Sequence, residues 1–304
     1  MEKVILKEGE SLRGVTLHGQ VYVQGRNVTI EDCTVECDGV ALYSNYNCSG
    51  LKVVNSTFAS MGNNAVKIVA DKLGNPIEGI NFMACRFEFA RIGVELQNHG
   101  NNDYKFVGAY MEDCKFEAID DSKDYRYGLS LSGYGRDVTV NGCTFDKCVK
   151  CVELVGFSDV TIFGSDLKGT SNSVISSNSR RMKEIKISEC SLKGMPHLYN
   201  CEDSWITDCE ISCSYVEVKK SQNVEVSGNN ITSHGHYSVM LNQAHNCHVH
   251  DNTIRQNGVN WSVIRCYGQQ SYDNIIESNQ ISRAKKTGKI YDQYEGAHNN
   301  TFKP

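Results

Sequence analysis

Apolar residues recur along this chain in one short phrase: apolar, any, apolar, any, any, small polar, any, apolar. Val28, Ile30, Cys33 and Val35 form it first, and Leu51, Val53, Ser56 and Phe58 repeat it. It returns at Ile80, Phe82, Cys85, Phe87; at Ala109, Met111, Cys114, Phe116; and at Val138, Val140, Cys143, Phe145. Further copies are Val160, Ile162, Ser165, Leu167; Ile185, Ile187, Cys190, Leu192; and Ile206, Cys209, Ile211, with Ser204 at the first apolar place. The last three are Val224, Val226, Asn229, Ile231; Cys247, Val249, Asn252, Ile254; and Asn274, Ile276, Asn279, Ile281. The small position recurs at a mean spacing of about 25 residues. A second alternating run accompanies it, as in Val40/Leu42, Val66/Ile68, Val94/Leu96, Leu129/Leu131, Val152/Leu154, Val216/Val218 and Val239/Leu241. Period two is the strand period, and no stretch carries the 3.6-residue period of an amphipathic helix.

Repeats of this length with short strands and no helix exclude leucine-rich, ankyrin and tetratricopeptide units. They predict one coil of a parallel β-helix per copy. The expected fold is therefore all-β, a single-stranded parallel β-helix (solenoid) of about 11–12 coils, whose right hand is implied by the resemblance given below. One domain is expected over residues 1–304: a partial first coil or cap over 1–23, stacked coils over 24–298 and a tail over 299–304. Leu12, Val15, Leu17, Val21 and Val23 supply the partial coil. Open sheet edges invite pairing, so an uncovered end is expected to favour a homo-oligomer.

Composition sharpens this picture. The chain has 14 Cys and 27 Asn among 304 residues. Equivalent inward side chains in stacked coils lie about 4.8 Å apart and form ladders. Six of the 14 cysteines fall in the small column, and Asn229, Asn252 and Asn279 take it over. A thiol is small and apolar enough for that place, and an asparagine can bond from rung to rung. Disulfides between successive ladder cysteines are permitted but not required. Cys148 and Cys151 make one C-x-x-C without a matching second pair, so no metal and no cofactor are expected. Net charge is −5, which speaks against nucleic acid and against polyanionic substrates. No apolar run reaches the length of a membrane span. The residues after Met1 lack the apolar core of a secretory signal, so a cytoplasmic or virion-associated location is expected over secretion.

The repeats resemble the right-handed parallel β-helix of the pectin-lyase-like superfamily over roughly residues 12–302. That group includes pectate lyases, polygalacturonases, alginate lyases and epimerases, and phage tailspikes. The resemblance implies a carbohydrate polymer as partner, handled by hydrolysis or β-elimination in a groove on the sheet face. The alternative it implies is a non-catalytic glycan- or protein-binding module of a virion, surface or scaffold. The aspartate-rich calcium site and the polygalacturonase Asp-Asp signature are missing from this sequence, so no family residue is carried over.

Candidate chemistry follows from where coils lengthen. Three early steps of the repeat have 29 residues, and the surplus falls at 71–79, 98–108 and 118–127. These turns could wall a groove over the second strand. Alternation turns Ala41, Lys67, Glu95, Ser130 and Glu153 outward there. Glu95 and Glu153 lie two rungs apart, about 9.6 Å, near the spacing of an inverting carboxylate pair. Glu95, Glu153, Asp120, Asp121 and Lys67 are the catalytic candidates. Arg91, Tyr104, Tyr125, Arg126, Tyr127 and Ser130 are the substrate-binding candidates. A second face in the C-terminal half groups Tyr215, Glu217, Lys219, His236, Asn242, Arg265 and Tyr267, and its short turns predict a shallower surface.

Overall fold

The structure, a computed structural model, describes residues 2–70, 74–98, 105–119, 124–176, 181–258, 261–284 and 288–303. Every regular element among them is a strand. The chain divides into two compact units, Met1–Thr161 and Ile162–Pro304.

In the first unit, each coil lays its strands in parallel on those of the next. Lys52–Val54 pairs with Thr29–Glu31 on one side and Ile77–Met83 on the other. The inward phenylalanines of the repeat come into register as Phe58, Phe87, Phe116 and Phe145. Their rings form one pile, with centroids 6.2, 4.9 and 4.3 Å apart. All four are fully buried or nearly so, and offset aromatic contact adds to the area each removes from water. The pile leaves no room beside it: a Cβ on Gly128 would overlap the Phe145 ring.

The second unit repeats the scheme with aliphatic rungs. Leu167, Leu192, Ile211, Ile231, Ile254 and Ile281 stack in register. Thr301–Phe302 pairs with Ile275–Glu277, so a strand forms inside the expected tail.

The corners explain the composition. In all eleven copies the residue before the first apolar position and the residue before the small position have left-handed backbone, with φ between 47° and 73°. The two lie five residues apart, as in Asn27 and Asp32, Gly79 and Ala84, or Asn246 and Asp251. Glycine, asparagine and aspartate enter that region most cheaply, and they fill most of these places. Each short strand is thus bracketed by two bends of the chain.

The ladders form as expected. The fourteen cysteines are free thiols, and thirteen are buried. In the first unit Cys85, Cys114 and Cys143 each approach two carbonyls, for Cys85 those of Val53 at 3.5 Å and Met83 at 3.3 Å. In the second, the Asn252 side chain accepts from the Asn229 backbone at 3.0 Å and donates to the Val226 carbonyl at 2.8 Å. A further asparagine ladder at another corner, unforeseen from the sequence, joins Asn274 to Asn300.

Candidate functional site

The outward face of the first unit is built by Leu42–Ser44, Val66–Val69, Ile92–Gln97, Tyr127–Asn141 and Thr144–Phe157. Leu42, Val66, Val94, Leu129 and Val152 point into the core in register. The alternate residues form the outward column Tyr43, Lys67, Glu95, Ser130, Glu153. The expected outward Ala41 is corrected here: it is fully buried, and Tyr43 holds the place beside Lys67. The first coil is set two residues later than its Val40/Leu42 pattern suggests.

Neighbouring cations hold both glutamates of this column. Lys67 Nζ lies 2.9 Å from Glu95 Oε2, and Asn64 donates to the same oxygen at 2.8 Å. Lys150 Nζ lies 2.8 Å from Glu153 Oε1, while Ser130 Oγ donates to Oε2 at 3.3 Å. Lys150 also sits over the Tyr127 ring. Burial works against the Lys150 charge, but Glu153 and Tyr127 outweigh it and raise its pKa. Ser130 is buried between the two glutamates.

The other expected residues scatter. Arg91 is exposed, Tyr125 is exposed and stands edge-on to Tyr127, and Arg126 is buried. Asp120, Asp121 and Tyr104 lie outside the described residues, as does much of the inserted turns. Among the described residues no group of three His, Cys, Asp or Glu side chains is arranged to hold a metal ion. No helix among them is long and apolar enough to cross a membrane.

The second unit carries two outward columns side by side. One runs His197, Glu217, Met240, Arg265, Asp292. The other runs Tyr199, Lys219, Asn242, Tyr267, Tyr294. Register thus brings together Glu217, Lys219, Asn242, Arg265 and Tyr267 of the expected second face.

A cavity of about 930 Å³ opens over Met240 and Arg265, walled by Tyr237, Trp261, Tyr267 and Tyr294. Trp261 and Tyr294 are 57% and 51% exposed, unusual for rings of this size. At the base, Arg265 Nη2 meets Asp292 Oδ2 at 2.6 Å, and Lys289 Nζ meets Oδ1 at 3.2 Å. Arg265 Nη1 donates to the Tyr237 hydroxyl at 3.0 Å. The guanidinium carbon lies 4.8 Å from the Tyr237 ring centre, 5.1 Å from Tyr294 and 5.9 Å from Trp261. Arg265 is 9% exposed, and its Nε has no hydrogen-bond acceptor among the described residues. Burial pushes the Tyr237 phenol up despite Arg265 beside it. Glu295, hydrogen-bonded to Tyr267, raises that phenol too.

Tyr237, Trp261, Asp292 and Tyr294 were not anticipated. Asp292 and Tyr294 had a signal in the alternation of Lys289–Tyr294. Tyr237 and Trp261 precede their strands, where alternation says nothing about direction.

A family model described as right handed beta helix region matches residues 150–303. No curated protein sequence matches the chain. Among solved structures it is similar to the A-module of the Azotobacter vinelandii mannuronan C-5 epimerase AlgE6. That likeness has 14% identity and TM-score 0.51, and covers 100% of this chain and 91% of the other. The A-module of the A. vinelandii epimerase AlgE4 gives 12% identity and TM-score 0.51, over 99% of this chain and 91% of the other. Tailspike protein 2 of Escherichia coli O157:H7 bacteriophage CAB120 gives 11% identity and TM-score 0.45, over 89% and 39%. For the two A-modules the likeness is one of fold alone.

Proposed function

Since the chain belongs to the right-handed β-helix family, we propose that it engages a carbohydrate polymer in the groove of its second unit. The observation that carries this reading is the set of rings around a held guanidinium: exposed Trp261 and Tyr294 and half-buried Tyr237 about Arg265. Pyranose rings have apolar faces and hydroxyl edges. A site for them combines rigid aromatic surface with a few fixed polar groups.

The groove requires retention by at least one glycan in affinity electrophoresis of the whole chain through a panel of polysaccharides. Trp261→Ala is expected to lower that affinity at least about tenfold, since burial of one aromatic face supplies a kilocalorie or more. An unretarded protein on every glycan contradicts the reading.

Glycan cleavage is the second reading. It is favoured by Glu95 and Glu153 sharing one outward column two coils apart. Lys67, 2.9 Å from Glu95, would be the neutralising cation if the reaction were an elimination. Reducing ends released without ultraviolet absorbance by the product mark hydrolysis, and absorbance marks a lyase. Glu95→Gln and Glu153→Gln are each expected to lower such turnover at least about 100-fold. Full turnover in both variants removes these residues from the chemistry.

A further inference from the structure

The charges at the groove define its ligand more narrowly. We infer that the second-unit groove takes a neutral, hydroxyl-rich saccharide and discriminates against uronates, an inference that rests on the glycan reading above. Two cations face the cavity, Arg265 and Lys289, and two carboxylates, Asp292 and Glu295. Asp292 spends one oxygen on each cation. Arg265 has one Nη on Asp292, the other on the Tyr237 hydroxyl, and three aromatic rings about its plane. Glu295 is engaged by Tyr267. The groove is therefore electrically balanced before any ligand arrives.

A sugar carboxylate entering it finds no uncompensated cation. It would lose its hydration without a charge partner and would lie near Asp292 and Glu295, both costs against binding. A neutral pyranose meets no such cost. Its apolar face covers Trp261 or Tyr294, which water now wets. Its hydroxyls can exchange water for the polar groups at the rim. An extended apolar ligand fits worse, because it would cover four ionised groups. Nucleic acid fits worse still, because the balanced groove and the chain's net charge of −5 offer no phosphate attraction.

Asp292 is thus a specificity residue: together with Glu295 it offsets the charges of Arg265 and Lys289 at the cavity. The test is calorimetric titration of the whole chain with cellohexaose, maltohexaose, mannohexaose and xylohexaose, and with hexagalacturonate and hexamannuronate. The wild type is expected to bind at least one neutral hexamer tenfold or more tighter than either uronate. Asp292→Asn frees both cations and is expected to raise uronate affinity at least tenfold. Glu295→Gln, a milder change at an exposed residue, is expected to raise it about threefold and serves if the first variant does not fold. A uronate that binds the wild type as tightly as the best neutral sugar overturns the inference and leaves the glycan reading standing. So does an unchanged neutral-to-uronate ratio in the folded variants. Absence of binding by either class overturns the glycan reading itself.

Discussion

Left-handed corner residues recur five apart in every coil, and not all of them suit the place. Ala84, Glu184 and Glu189 hold φ of 52°, 55° and 52°, where a Cβ crowds the following carbonyl at a cost of about 1–2 kcal/mol. Glycine removes that cost and returns about half of it through a freer unfolded chain. Ala84→Gly is therefore expected to stabilise the protein by about 0.5–1 kcal/mol, read as a higher midpoint in urea. A lower midpoint contradicts the assignment of strain. The thiols give a second prediction at this scale. Burial pushes Cys48 up to about 11 and Cys201 and Cys247 up to about 12, so almost no thiolate exists at neutral pH. Cys37, the only one of the fourteen that is not buried, is also raised by its partial burial. Iodoacetamide followed by mass spectrometry should show at most one modified cysteine in the native protein and fourteen after denaturation.

At the scale of elements, the two kinds of ladder differ in what they stabilise. A ladder cysteine contributes mostly packing, and Cys85→Ala should cost about 1 kcal/mol. Asn252 is fully buried and bonded to Asn229, Val226, His250 and Asn279. Asn252→Ala strands several of those groups and should cost about 3 kcal/mol, measured by chemical denaturation. Outside the coil, Glu117 joins Arg86 at 3.0 Å, Lys147 at 3.1 Å and Lys115 at 3.2 Å. Hydrogen bonds from Lys147 and Lys115 lower its pKa. A carboxyl whose folded value lies below its unfolded value near 4.3 adds stability above that pH. That share is lost as pH falls through the folded value. Glu117→Gln should thus destabilise by less than about 1 kcal/mol at neutral pH and show a shallower loss of stability below about pH 4.

These elements were largely legible in the sequence, because inward positions alternate and equivalent residues repeat. The phenylalanines at 58, 87, 116 and 145 and the column of Cys33, Ser56 and Cys85 needed only counting. The outward column from Lys67 to Glu153 followed from the same alternation. Legibility failed where direction is set by turns. Ala41 was misplaced because a loop, not the alternation, sets where Leu42–Ser44 begins. Tyr237 and Trp261 were missed for the same reason. Their convergence on Arg265 depends on how each chain segment enters its strand, information spread over three coils.

At the scale of the whole molecule, the two units carry different outward chemistry. In the first unit both glutamates of the outward column are ion-paired, Glu95 with Lys67 and Glu153 with Lys150. In the second, exposed aromatic rings surround a balanced charge cluster in a cavity of about 930 Å³. Glycan recognition is therefore proposed for the second unit. Met240 lines that groove, whereas Met61, Met83 and Met111 belong to the first unit. Methyl-labelled methionine spectra, with the Met240 signal identified by Met240→Leu, report the location directly. On titration with a retained neutral oligosaccharide, the Met240 methyl is expected to shift while the methyls of Met61, Met83 and Met111 stay in place. Binding that moves a first-unit methionine and leaves Met240 unchanged would contradict the account.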